Sequence, residues 1–368
     1  MFKLLIMEDK GDIHSEQERE HFHKIIHSFK AYRVFNRAVI FKRLRYLSTL
    51  SERQQQLLLK YKRRLEKAAE CIDHNDTIIK LIIRDVEQMF ENVNHKPVAG
   101  QKRSVTNQDI EKVNITIKQI YRDWTVEGAI ERDKCYRPII EEIEKYFPEH
   151  ECNRADIKVL IPGAGLGRLA FEVAKRGFTC QGNEFSFYML MASNFILNNC
   201  LGAGGNELYP WVHQLDNILS SEDQFKKVSF PDCDPSDLYS LHGTSRFSMT
   251  AGDFTEVYTE ENDWDCVATC FFIDCANNIV QYIEQIYNML KPGGLWTSFG
   301  PLQYHFSSSV EEESIEPSFE EIKEIIRGIG FIIQKEQTGI ETTYSQHQQS
   351  MLKNVYSCAF LVCVKPHS

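Results

Sequence analysis

The run Val159-Leu160-Ile161-Pro162-Gly163-Ala164-Gly165-Leu166-Gly167-Arg168 joins an apolar stretch to three alternating glycines. This pattern predicts a buried strand, a glycine loop and then a helix. With no side chains at 163, 165 and 167, the backbone can turn tightly and a ligand can approach it closely. The following helix offers free N–H groups at its start. Such a loop alone indicates a nucleotide-like ligand, held outside the carboxyl end of a parallel strand. Glu184 ends the next strand-like segment, in Gly182-Asn183-Glu184. An acid there can accept hydrogen bonds from both ribose hydroxyls, and it can equally cap the helix after it. Nicotinamide cofactors use the same pair of features, so the choice of ligand rests on later residues.

Gly252-Asp253-Phe254 follows the third strand-like run. A carboxylate there can accept a hydrogen bond from an adenine amino group, with an aromatic ring beside it. Lys291-Pro292-Gly293-Gly294 precedes the fifth strand-like run. Glycine loop, acid, Gly-Asp-Phe and Lys-Pro-Gly-Gly in this order resemble the class I methyltransferases that use S-adenosylmethionine. That group usually carries an acid two residues before the first glycine, where this chain has Ile161. The amino-acid end of the cofactor then needs other partners. Gln119 and Arg122 lie one helical turn apart and can point the same way. Arginine grips a carboxylate through two parallel hydrogen bonds, although a surface pair with an acid would also account for it. Catalytic candidates gather after the fourth and fifth strands. Asp274 follows the apolar run Cys270-Phe271-Phe272-Ile273, and His305 follows Pro301-Leu302-Gln303-Tyr304. Tyr344 and Tyr356 come near or within the last strand.

These residues need a sheet to position them. Residues 16–94 carry helical periodicity, with Phe22, Ile25, Ile26 and Phe29, then Leu57, Leu58 and Leu65, then Ile78, Ile79, Ile82, Ile83 and Met89. Residues 95–106 read as a linker, followed by helices over about 107–124 and 126–146. From 157 onward, strand and helix alternate: strands 158–162, 178–183, 247–251, 265–271, 295–299, 331–335 and 355–364, with helices near 167–176, 185–200, 277–290 and 318–328. Alternation of this kind predicts an α/β fold: a Rossmann-like, mostly parallel seven-stranded sheet with helices on both faces, one late strand being antiparallel. The expected division is a flexible N-terminus over 1–15, a helical region or cap over 16–150, and a cofactor-binding methyltransferase domain over 151–368.

Composition narrows the class. The net charge is −10 and no long basic run occurs, which argues against nucleic acid as a partner. No stretch reaches the length of a membrane span. The eleven cysteines are scattered without a CxxC spacing, which predicts no metal site and fits reduced thiols in the cytoplasm or nucleus. The apolar faces of helices 16–94 either pack on the catalytic domain or serve a homodimer.

The long ordered segments Pro162-Gly-Ala-Gly-Leu-Gly-Arg-Leu-Ala, Cys180-Gln-Gly-Asn-Glu-Phe-Ser, Leu208-Tyr-Pro-Trp, Thr269-Cys-Phe-Phe-Ile-Asp and Gly300-Pro-Leu-Gln-Tyr-His-Phe closely resemble the carnosine N-methyltransferase family. Arg19-Glu-His-Phe, Cys71-Ile-Asp-His-Asn and Arg122-Asp-Trp extend the likeness over most of the chain. The resemblance implies methyl transfer from S-adenosylmethionine to the imidazole of carnosine, a small dipeptide, giving anserine. It implies that Gln119, Arg122, Gly163, Gly165, Glu184, Asp253, Phe254 and Cys270 hold the cofactor. It places Asp274, Tyr282, His305, Tyr344 and Tyr356 around the dipeptide, with Asp274, His305 and Tyr356 in the catalytic role. An acceptor histidine in a protein or peptide is the alternative that keeps the same cofactor.

Overall fold

The computed structural model describes residues 4–6, 12–86, 104–238 and 246–367, with side chains from Arg19 onward. Its centre is an eight-stranded sheet in the order β1-β6-β3-β2-β7-β8-β10-β9. β2 (Lys158–Pro162) is the pivot. Its last four residues are buried, because helices cover both faces of a parallel strand at this position. On one side it pairs in parallel with β3 (Thr179–Glu184), which pairs with β6 (Phe247–Ala251). On the other side it pairs in parallel with β7 (Trp264–Cys270), which pairs with β8 (Leu290–Gly300). The chain thus leaves β2 in one direction and later returns to its other side. This reversal opens a crevice at the carboxyl ends of β2 and β7, where ligands of such sheets bind.

β10 (Tyr356–Val364) runs antiparallel to both β8 and β9 (Ile332–Thr342), so the late antiparallel strand is present. To the seven expected strands the structure adds β1 (Leu4–Ile6), which pairs in parallel with β6. A separate pair, β4 (Asn206–Leu208) and β5 (Val228–Phe230), forms a small antiparallel ribbon between the expected helix near 185–200 and the expected strand 247–251. Several strand bounds shift by one residue, and two move further. β8 starts at Leu290 rather than Leu295, because Lys291–Gly294 are absorbed as an irregularity between Leu290 opposite Trp264 and Leu295 opposite Cys266. β9 runs on to Thr342 because β10 supplies partners through a polar stretch that has no apolar alternation of its own.

Three helices precede the site: α1 (Asp12–Ser48), α2 (Glu52–Leu57) and α3 (Leu59–Ile82). α1 begins four residues before the expected helical region. Phe22, Ile25, Ile26, Phe29, Leu65, Ile78, Ile79 and Ile82 are buried in the core. Leu57 is 76% exposed, contrary to the periodicity, because the helix is interrupted at Leu58 and the register of the stripe resets. Met89 and residues 95–103 of the expected linker lie outside the described residues. α4 (Asn107–Trp124) starts where a reciprocal cap between Thr106 and Asp109 satisfies its first N–H groups, and α5 (Ala129–Tyr146) follows. α1 packs on α3 and α4, and α4 on the helix Phe187–Asn194, so the helical region and the sheet share one core. Among the described residues no helix is long and apolar enough to cross a membrane.

Candidate active site

The crevice at the strand ends holds a cavity of about 790 Å³. All thirteen residues assigned to the site from sequence line it: Gln119, Arg122, Gly163, Gly165, Glu184, Asp253, Phe254, Cys270, Asp274, Tyr282, His305, Tyr344 and Tyr356. They arrive from α4, from the ends of β2, β3, β6, β7 and β8, from the helix Ile279–Met289 (Tyr282), and from the approach to and start of β10.

The glycine loop is as tight as its sequence suggests. Gly163 has φ +65°, and a Cβ added there would stand 2.4 Å from Cδ2 of Phe272. The loop and the segment after β7 therefore touch backbone to ring. Gly163→Ala puts a methyl group on both a left-handed residue and an occupied position. The backbone term alone costs about 1–2 kcal/mol. We expect a lower Tm and at least about tenfold weaker binding of S-adenosylhomocysteine by calorimetry. If both stay at wild-type values, the loop is not the tight cradle described.

Glu184 is held on both oxygens. Gly165 N–H donates to Oε2 and Ser186 N–H donates to Oε1, each at 2.8 Å. Burial nevertheless leaves its pKa above the ordinary carboxylate value, with those N–H groups pulling the other way. Each oxygen keeps a further lone pair, so the fixed carboxylate suits two vicinal hydroxyls. Asp253 caps the short helix Phe254–Val257, its Oδ1 accepting from Thr255 N–H at 2.8 Å and from Thr255 Oγ1 at 2.6 Å. Its Oδ2 has no hydrogen bond to another described residue. Phe254, Phe272 and Tyr282 form an aromatic group here, with ring centroids 5.5 Å apart for Phe254–Phe272 and 5.0 Å for the stacked Phe272–Tyr282.

Arg122 is 3% exposed, yet it faces three acceptors. Nη1 donates to Asp123 Oδ1 and to Tyr136 Oη, both at 2.7 Å, and Nε lies 3.1 Å from Glu131 Oε1. Tyr344 lies across it, with the guanidinium carbon 4.5 Å from the ring centroid. Burial alone would lower its pKa, but Tyr136, Asp123 and Tyr344 outweigh burial and leave it well above the ordinary value. Nη2 has no hydrogen bond to another described residue. The pairing of Arg122 with an acid is thus present, but buried and not on the surface, and Nη2 remains for a further acceptor.

Sequence reasoning missed Asp123 and Glu131. Asp123 Oδ2 is 4.0 Å from the position of a Cβ on Gly165, so it brings an acid to the loop where β2 has only Ile161. Its place next to Arg122 was the available signal. Glu131 carried no signal at all. It accepts from Ser345 N–H at 2.6 Å and Thr343 Oγ1 at 2.7 Å while facing Arg122, which ties the loop bearing Tyr344 to α4. Gln119 adds a second tie, donating from Nε2 to Tyr344 Oη at 2.9 Å.

Asp274 sits in the one-turn segment Ile273–Cys275 and is 3% exposed. Gln303 N–H donates to its Oδ2 at 2.8 Å, and His305 N–H donates to its main-chain oxygen at 3.1 Å. The ends of β7 and β8 are thereby fastened at Asp274 and His305, two of the three residues singled out for catalysis. Oδ1 accepts no hydrogen bond from another described residue. Burial raises the Asp274 pKa above the ordinary carboxylate value, opposed by the N–H of Gln303 and by His305. Phe271, at φ +52°, stands between strand and site, with its ring 4.8 Å from Tyr344 and 5.6 Å from Tyr356. A bulky residue in that region is a strained one, of the kind that gathers at functional sites. His305 Nε2 is 3.6 Å from Cys275 Sγ.

The profile of the carnosine N-methyltransferase family matches residues 99–367. Carnosine N-methyltransferase of Mus musculus is 46% identical over 350 residues, spanning 95% of this chain and 87% of that protein. Carnosine N-methyltransferase unmet of Drosophila melanogaster is 42% identical, spanning 96% of this chain and 81% of its own. Carnosine N-methyltransferase of Schizosaccharomyces pombe is 35% identical, spanning 95% and 97%. With a family profile over residues 99–367 and relatives 35–46% identical over 95–96% of its length, this chain belongs to the carnosine N-methyltransferase family.

Proposed function

We propose that the protein transfers a methyl group from S-adenosylmethionine to a ring nitrogen of carnosine, giving anserine. The observation that carries this reading is the half-engaged Asp274: a buried carboxylate with one oxygen pinned by Gln303 and the other open, in the same cavity as a glycine loop, a ribose acid and a buried guanidinium. In this reading each part of the donor has a partner among the lining residues. Glu184 suits the ribose, and Asp253 with Phe254 suits the adenine. Arg122, through Nη2, and Gln119 suit the amino-acid carboxylate, while Asp123 suits the ammonium. Gly163, Gly165 and Cys270 form the wall beneath.

The donor supplies an activated methyl group on a positively charged sulfur. The protein then has to present a neutral imidazole with the correct nitrogen free. The ring's ordinary pKa of about 6.5 makes that form abundant at neutral pH, but it exists as two tautomers. Asp274 Oδ1 accepts the N–H of the non-attacking nitrogen and so selects the tautomer, as the buried aspartate does in hydrolase triads. The same carboxylate stabilises the positive charge that develops on the ring as the nitrogen bonds to carbon. His305 orients the ring or takes its proton afterwards. Tyr356 and Tyr344 flank the ring together with Phe271, and Tyr282 closes the side next to Phe254. Much of the acceleration is alignment of two bound reactants.

All eleven cysteines are free thiols, which supports a cytoplasmic or nuclear setting as part of the same reading. Incubating the protein with carnosine and donor carrying a labelled methyl group, followed by mass spectrometry, tests the proposal. Labelled anserine is the expected product. A label absent from carnosine, or placed on its amine instead of its ring, would refute the assignment.

A further inference from the structure

The cavity is strongly one-sided in charge. Its lining carries five carboxylates, Asp123, Glu184, Asp253, Asp274 and Glu312, against the single guanidinium of Arg122. Four of the five are held by the protein. Asp123 takes Arg122 and Tyr136, Glu184 takes two N–H groups, Asp253 takes Thr255, and Asp274 takes Gln303. Glu312 differs, for its carboxylate makes no hydrogen bond or ion pair with another described residue, although its own N–H is fixed by Ser309 Oγ at 3.0 Å.

The segment that follows Glu312 is fastened to the catalytic elements. Asn277, three residues beyond Asp274, donates from Nδ2 to Glu313 O at 2.9 Å and accepts from Ile315 N–H at 3.1 Å. Tyr304, the neighbour of His305, donates from Oη to Pro317 O at 2.5 Å. Glu312 is therefore presented to the cavity by a loop whose position depends on the Asp274 and His305 segments.

We infer that Glu312 is the specificity residue that recognises the acceptor's free ammonium group, an inference that rests on the dipeptide reading above. A β-alanyl-histidine with its ring on Asp274 carries a primary amine about seven bonds away, on the order of 8 Å when extended. That amine is a cation at neutral pH, and Glu312, solvent-exposed on the cavity lining, offers it a carboxylate. Glu312 is the lining carboxylate with no partner of its own. Glu312 thus selects acceptors that carry an ammonium beyond the imidazole, within the same cavity, and it disfavours acceptors in which the amine is acylated, as it is inside a longer peptide chain.

The test compares carnosine with N-acetylcarnosine as acceptors for the full-length wild-type protein and for Glu312→Gln. The wild-type protein should prefer carnosine. In Glu312→Gln the ratio of kcat/KM for carnosine over N-acetylcarnosine should fall by about tenfold, the loss of one charge-assisted hydrogen bond, and through KM rather than kcat. Calorimetry with S-adenosylhomocysteine establishes that the variant is folded. An unchanged ratio, or a fall carried by kcat, would overturn the role of Glu312 while leaving the carnosine assignment intact. Failure of the wild-type protein to methylate either compound would overturn both.

Discussion

Asp274→Asn lowers kcat on carnosine by about 10²–10³-fold while its affinity for S-adenosylhomocysteine stays within about twofold of wild type. The magnitude follows from what the substitution removes. The amide keeps the shape and can still accept from a ring N–H, but it carries no charge to meet the imidazolium that forms in the transition state, and preorganised groups of this kind contribute on that scale. It can also turn its NH2 toward the ring, in which case it stabilises the wrong tautomer. Steady-state kinetics and calorimetry together check the result, and near-normal turnover would remove Asp274 from the mechanism. The pH profile gives a second readout. Activity needs a neutral acceptor ring, with a pKa of about 6.5, and an ionised Asp274. Burial raises the Asp274 pKa, so its carboxylate is present above that raised value and is lost as pH falls through it. Two protonations therefore switch the wild-type enzyme off in acid. In Asp274→Asn the carboxylate's protonation is removed from the profile, and the acid limb becomes shallower.

The sheet was legible because a buried parallel strand has no solvent face and reads as an apolar run with glycines or acids at its end. β2 and β6 have the bounds read from their sequences for this reason, and each delivers a site residue at its carboxyl end. Where pairing rather than composition makes the strand, the sequence was silent. β9 extends through Glu336, Gln337 and Glu341 only because β10 pairs with it. The same distinction holds in the site. Gly163, Glu184 and Asp253 stand in local patterns of strand, turn and helix, and the patterns locate them. Glu131 and Asp123 act through space. Glu131 meets Thr343 and Ser345 more than 200 positions along the chain, a contact that only the folded arrangement of α5 against the approach to β10 creates. Arg122 lies between these cases, since its helix and its neighbours in sequence were readable but its burial among Tyr136, Tyr344 and Glu131 was not.

Arg122→Ala weakens the binding of S-adenosylhomocysteine by about 10- to 100-fold, the loss of a hydrogen bond to a charged group in a buried place. The substitution also leaves Asp123 and Glu131 facing each other without their cation. Breaking a buried ion pair from one side costs about 3–5 kcal/mol, so a fall in Tm accompanies the loss of affinity. The two effects need separating, because a partly unfolded protein also binds poorly. Arg122→Lys does so. A lysine can restore the charge between Asp123 and Glu131 and recover most of the Tm, but its ammonium lacks the planar fork that serves Tyr136, Asp123 and an incoming carboxylate together. Affinity should therefore remain low in Arg122→Lys when stability has returned. Ligand binding by Arg122→Ala equal to that of wild type would exclude Arg122 from the cofactor site and leave it as a structural cation. Recovery of affinity in step with Tm in Arg122→Lys would reduce its part to supplying charge, with the geometry of the clamp playing no role.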